Sequence, residues 1–134
     1  MKKYNVIVIF NQDKTKTLMC KRTKEPYQGM YNLVGGKIEK EGDGLHEAYR
    51  ELEEETAITK NDVILFHFMN IDYIAFSKSL EVYYGVLNKD VNLIEEVNAL
   101  EWVDIHDNFF DMNKYAGEGN IGHIMEELKI VCSF

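Results

Sequence analysis

Apolar residues fall into short runs and alternations, not into one long periodic segment. Residues 4–10, Tyr-Asn-Val-Ile-Val-Ile-Phe, read as a buried strand rich in Val and Ile. Asn11-Gln12-Asp13-Lys14 is a turn, and residues 17–22 form the returning strand of a hairpin. Residues 25–29 are a loop. Residues 30–34 predict a short strand stopped by Gly35-Gly36, with residues 37–39 as a further strand. Residues 43–56 carry a helical pattern, with Asp43 placed to cap its start. Residues 63–73 and 80–87 read as two longer strands around a loop, and residues 100–104 as a short one. A second helix is expected over residues 121–131 with Asn120 as its N-cap. Strands dominate, with one helix in the middle and one at the end, so a mixed sheet covered by helices is predicted. Pro26 is the sole proline and no repeat or linker divides the chain, so residues 1–134 are expected to form a single domain.

The first helix has an unusual charge distribution. With Glu51 at the origin of a wheel of about 100° per residue, Glu55 falls near 40°, Glu54 near 300° and Glu47 near 320°. Four carboxylates thus share one arc, while Leu45, Ala48, Tyr49, Leu52 and Thr56 form a stripe predicted to be buried. Glu53 points away and is expected to be solvated. An acidic helix face is ordinarily just solvated surface. Here, however, Glu47/Glu51, Glu51/Glu54 and Glu51/Glu55 are like-charge pairs at i,i+3 or i,i+4, each destabilising by a few tenths of a kcal/mol. Arg50 is the lone cation of the helix, and no lysine lies between Lys40 and Lys60. Clustered carboxylates without basic partners suit a hard divalent cation such as Mg²⁺, which takes oxygen ligands and bridges to phosphate.

The overall charge narrows the partners. Lys plus Arg number 15 against 23 Asp plus Glu, a net charge of −8, which disfavours nucleic acid polymers. Small phosphorylated ligands stay open, because a bound cation reverses the local sign. No apolar run approaches a membrane span, and no signal peptide is expected at the N-terminus. Cys20 and Cys132, near opposite ends, are no disulfide framework; a cytoplasmic location is expected.

Residues 36–58 resemble the signature of the Nudix hydrolases: Gly, five residues, Glu, seven residues, Arg-Glu, an aliphatic residue, any residue, Glu-Glu, any residue, Gly and an aliphatic residue. Gly36, Arg50, Glu51, Leu52, Glu54, Glu55 and Ile58 fall in register. Two positions depart. The first Glu is replaced by Gly42, with Glu41 beside it, and the terminal Gly is Ala57. In the family the first Glu is usually a supporting residue. Ala57 must adopt the helix-end geometry that Gly normally provides, and a left-handed conformation there would cost about 1 kcal/mol. The resemblance, which extends to the order of strands, implies an α/β/α sandwich. It further implies Mg²⁺- or Mn²⁺-dependent hydrolysis of a nucleoside diphosphate linked to another group. By motif position Glu51, Glu54 and Glu55 would be metal ligands, with the Gly35 carbonyl facing the metal, and Arg50 would orient the catalytic glutamate.

Residues outside the helix add candidates. Glu96 lies six residues before Trp102, and in similar Nudix chains an acid there supplies a metal ligand or the general base; the alternative is a solvated Glu95-Glu96 pair. Arg22 resembles a position from which relatives reach the substrate, and a guanidinium suits phosphate; the alternative is a surface arginine. Asn120, if not simply a cap, could read a purine edge with its amide. The four histidines show no metal-ligand spacing. The series Phe66, Phe68, Tyr73, Phe76, Tyr83 and Tyr84 is expected to be mostly core, with one or two lining a base pocket. The expected function is a pyrophosphohydrolase of a nucleoside di- or triphosphate derivative, such as an oxidised dGTP-type housecleaning substrate. The alternatives are an ADP-ribose or nucleotide-sugar hydrolase and a non-catalytic nucleotide sensor. Neither the general base nor the oligomeric state is fixed at this level.

Overall fold

The computed structural model describes residues 1–39 and 43–134. The Glu41/Gly42 departure from the motif lies outside the described residues. Among these, seven strands form one sheet: β1 (Lys2–Phe10), β2 (Lys16–Lys21), β3 (Tyr31–Asn32), β4 (Val34–Lys37), β5 (Phe66–Tyr73), β6 (Lys78–Val86) and β7 (Ala99–Asp104). The helices are α1 (Gly44–Thr56) and α2 (Asn120–Cys132). The sheet is mixed. β1 runs parallel to β6 from Lys2↔Lys78 to Phe10↔Val86, and antiparallel to β2 at one end and β4 at the other.

The apolar run of β1 explains the layering. Successive side chains of a strand point to opposite faces. Val8 and Phe10 join the core beneath α2, with Ile121, Ile124, Met125 and Leu128. Ile7 and Ile9 join the core beneath α1, with Ala48, Leu52 and Ile58. All four β1 residues are fully buried, so β1 is the centre of an α/β/α sandwich.

Several expectations change in detail. Gly35-Gly36 does not stop a strand but lies inside β4, which pairs with β1 through Val6↔Gly35 and Asn5↔Gly36. The break falls instead at Leu33. Gly35 has φ +152°, and a Cβ there would lie 2.1 Å from the Asn5 carbonyl oxygen, so the strand passes only because no side chain is present. The expected strand at 37–39 contributes only Lys37. Of the expected strand 63–73, Val63 makes a single bridge to Leu87 before β5 begins at Phe66.

α1 starts where expected: the Asp43 carboxylate accepts a hydrogen bond from the His46 N–H at 3.1 Å. Its buried stripe differs at two positions. Leu45 is 42% exposed, because the first turn rests on the sheet through Gly44, where a Cβ would lie 2.0 Å from Glu81 Oε1. Glu47 is buried, in an ion pair with Arg50. The helix ends at Ala57 with φ 68° and ψ 8°, its N–H donating to the Glu53 carbonyl. This is the left-handed cap the motif normally gives to glycine. Ala57→Gly should therefore stabilise the protein by about 1 kcal/mol, read as a raised midpoint in urea at unchanged slope.

Candidate functional site

Two glycines join the acidic helix to a cleft. Gly35 N–H donates to Glu55 Oε2 at 3.1 Å. The Glu51 carboxylate packs against Gly36, where a Cβ would stand 3.0 Å from it. β4 thus brings both carboxylates against its backbone because neither residue has a side chain to intervene. The same two glycines line a cleft of about 540 Å³ on the sheet beside α2, a volume suited to a small organic ligand.

Arg50 organises the other acids. Its Nε donates to Glu47 at 2.5 Å, Nη1 to both oxygens of Glu54 at 2.9 and 3.0 Å, and Nη2 to Glu51 at 3.2 Å. The like-charge crowding read from the wheel is thus largely offset by one guanidinium. Glu54, the most exposed of the three at 58%, is turned onto Arg50. Glu55 is different: no Lys or Arg pairs with it among the described residues. Burial, followed by the nearby Glu51 charge, pushes its carboxyl up to about 7, against the lowering effect of the Gly35 N–H. Glu51 is also raised, chiefly by burial, with Arg50 opposing the shift. Glu53 is exposed, as the wheel indicated.

Arg22, just past β2, lines the cleft, and its Nε donates to the Pro26 carbonyl at 2.7 Å. Asn120 lines it too, but not as a cap. The N-cap of α2 is Gly119, whose φ of 94° turns the chain into the helix without a side-chain capping bond. The Asn120 amide is thereby left free to face the cleft. It lies near the Tyr73 hydroxyl. Tyr73 and Phe76 line the cleft, and Phe76 is 77% exposed instead of lying in the core. Tyr27, Lys37 and Lys78 also contribute, unanticipated from sequence because nothing local marks a residue whose neighbours come from distant strands.

Glu96 does not line this cleft. It is exposed in the segment leading to β7, which crosses the C-terminal end of α1 where Ile94 N–H donates to the Thr56 carbonyl at 3.0 Å. Cys20 is buried, and desolvation raises its thiol to about 11, which removes it as a nucleophile.

A sandwich with paired carboxylates against a glycine pair in β4 defines the class of protein. The NUDIX domain family matches residues 1–126, and the chain belongs to that family, the Nudix hydrolases, which act on phosphate anhydrides. A search among curated proteins finds no match. Among solved structures the fold is similar to that of an Ap4A hydrolase from C. elegans, with TM-score 0.77 and 18% identity over the whole of both chains. It is also similar to a structure from a study of MutT from Aliivibrio salmonicida and Vibrio cholerae: TM-score 0.71 and 23% identity over 99% of this chain and 98% of that one. A third is the NUDIX domain of Shewanella oneidensis NrtR complexed with ADP ribose, with TM-score 0.72 and 17% identity over 97% and 87%.

Nudix hydrolases generally use divalent metal ions. Among the described residues no group of three His, Cys, Asp or Glu converges as a ready-made cage. Glu51 and Glu55 nonetheless fit a hard ion. They offer oxygen donors against the adjacent glycines of β4, and their mutual repulsion leaves negative charge at Glu55 that no cation offsets among the described residues. Mg²⁺ is typically held this way, by one or two carboxylates with waters and substrate phosphate completing the shell.

Proposed function

We propose that this chain is a Mg²⁺-dependent pyrophosphohydrolase of a nucleoside di- or triphosphate derivative, with Mn²⁺ as the alternative ion. The observation that carries the reading is the shared glycine pair: Gly35 and Gly36 line the cleft that holds Arg22 and Asn120, and also touch Glu55 and Glu51. A nucleoside in the cleft would place its phosphates toward the two glycines that these carboxylates contact. Glu51 and Glu55 would hold the ion, with the Gly35 carbonyl and Glu54 as the further ligands that the motif implies.

Bound divalent ions neutralise phosphate oxygens and lower the pKa of water. The chain's own residues supply the rest. Arg22 binds anionic oxygens of the substrate, and Asn120 reads the base edge through paired donor and acceptor. Arg50 fixes the Glu51 and Glu54 side chains by its forked hydrogen bonds. Water attacks phosphorus, its proton passes to a carboxylate, and the phosphorus–oxygen bond of the anhydride breaks with the electron pair leaving on the bridging oxygen. We assign the proton to Glu51, whose carboxylate Arg50 Nη2 holds at 3.2 Å against the Gly36 backbone at the cleft. Glu96 is the competing base, its segment crossing the end of α1 beside Glu55. Loss of rate in Glu96→Gln with Glu51→Gln retaining turnover would reverse that assignment.

A phosphate-release assay with Mg²⁺ over a panel of nucleotides tests the reading. The panel runs from oxidised dGTP, the first substrate to examine, through ordinary nucleoside triphosphates to ADP-ribose and dinucleoside polyphosphates. Turnover of ADP-ribose alone would move the chain to the nucleotide-sugar hydrolases. Binding without turnover of any member would make it a sensor. Arg22→Ala is expected to raise KM by about tenfold, the equivalent of one lost charge-assisted hydrogen bond, with kcat nearly unchanged.

A further inference from the structure

Asn5 interrupts the apolar run of β1 and is 1% exposed. Register places it between Gly36 on β4 and Glu81 on β6. Alternation places its side chain on the α1 face with Ile7 and Ile9. Its Oδ1 accepts a hydrogen bond from the Gly36 N–H at 3.0 Å. A donor at that position requires the amide oxygen, so the orientation of the side chain is determined. Its Nδ2 is then buried with no partner among the described residues. A buried donor without an acceptor is destabilising, and an apolar residue would suit this part of the strand better.

Stability alone does not account for an asparagine here; what its oxygen holds does. We propose that Asn5 is a positioning residue for the hydrolytic site. It anchors the Gly36 N–H to β1. Gly35 is thereby set to donate to Glu55, and Gly36 presents its bare Cα to Glu51. The neighbouring main chain already passes with no space for adjustment, since a Cβ on Gly35 would overlap the Asn5 carbonyl. Without the anchor, the segment of β4 that spaces the two carboxylates can shift. The inference rests on the function proposed above for Glu51 and Glu55, but on none of their titration behaviour.

Asn5→Leu, of similar volume, removes the anchor and the orphan donor together. It is expected to melt within a few degrees of the wild type. Mg²⁺ affinity measured calorimetrically without substrate should weaken about 10- to 100-fold, the range typical of losing a residue that orients metal ligands. kcat should fall by a similar factor with a smaller change in KM, since Arg22 and Asn120 keep their places although Asn5 itself borders the cleft. Asn5→Asp keeps an oxygen acceptor in the same shape and should recover Mg²⁺ affinity and most of kcat. If Asn5→Leu does not fold, Asn5→Ala carries the same expectations for Mg²⁺ and kcat. Wild-type Mg²⁺ affinity and kcat in a folded variant lacking the amide would overturn the proposal, as would an Asn5→Asp variant as impaired as Asn5→Leu. If the wild type binds Mg²⁺ but hydrolyses no nucleotide, the functional reading fails, while the calorimetric comparison still decides the role of Asn5.

Discussion

Glu55→Gln should reduce turnover by about a thousandfold or more, about 4 kcal/mol of barrier, while the protein melts no lower than the wild type. The two effects separate because the glutamine amide oxygen can still accept the Gly35 N–H that Glu55 accepts at 3.1 Å. The substitution leaves that bond and the shape in place and removes only the charge. In the apo protein this charge is unfavourable, being buried next to Glu51 with no cation beside it among the described residues. In the working enzyme the same charge is the one least compensated by protein and so the most available to a divalent ion. Glu54→Gln should also lower turnover, and it additionally weakens the paired contact with Arg50. Steady-state rates at saturating Mg²⁺, with thermal melts of the apo variants, check both; turnover near wild type in both would show that α1 is not the metal site.

Stability should depend on pH in opposite directions with and without metal. The Glu55 carboxyl titrates at about 7 in the folded chain, against an ordinary value of 4.5. Between those values the native state holds a proton that the unfolded state has lost. The contribution of Glu55 therefore makes the apo protein less stable as pH rises through that window and is constant above it. Mg²⁺ needs the deprotonated carboxylate, so protons compete with it, and its affinity should rise toward alkaline pH. At a concentration one hundred times its dissociation constant the ion should add about 2.7 kcal/mol. Melts at pH 5 and pH 8 should show a large Mg²⁺-dependent rise only at pH 8. Activity should increase with pH over the same range, since Glu55 must be charged and the base unprotonated. Equal melting temperatures in all four conditions under saturating metal would exclude the cation from the site.

Much of the molecule was legible along the chain because its cause was local. The apolar run of β1 marked a buried strand, and Asp43 marked the start of α1. The spacing of Glu51, Glu54 and Glu55 marked a shared face, and the register of residues 36–58 marked the family. Ala57 was expected to take the left-handed end of the helix and does. Each of these follows from backbone periodicity or from contacts within a few residues, which a sequence states directly.

Only the tertiary structure decided how the carboxylates differ. Periodicity places four of them on one arc, but it cannot say that Arg50 reaches Glu47, Glu51 and Glu54 and leaves Glu55 to a backbone amide of β4. Nor could it distinguish Gly119 from Asn120 as the cap of α2, a choice set by the turn before the helix that frees the Asn120 amide for the cleft. The glycine pair looked like a strand end because glycine ordinarily weakens strands. It proved to be strand, because the neighbour it must pass, Asn5, lies thirty residues earlier in the chain and leaves no space for a Cβ. Periodicity and motif thus determined which residues are candidates; burial and long-range pairing, which depend on where distant strands meet, decided what each of them touches.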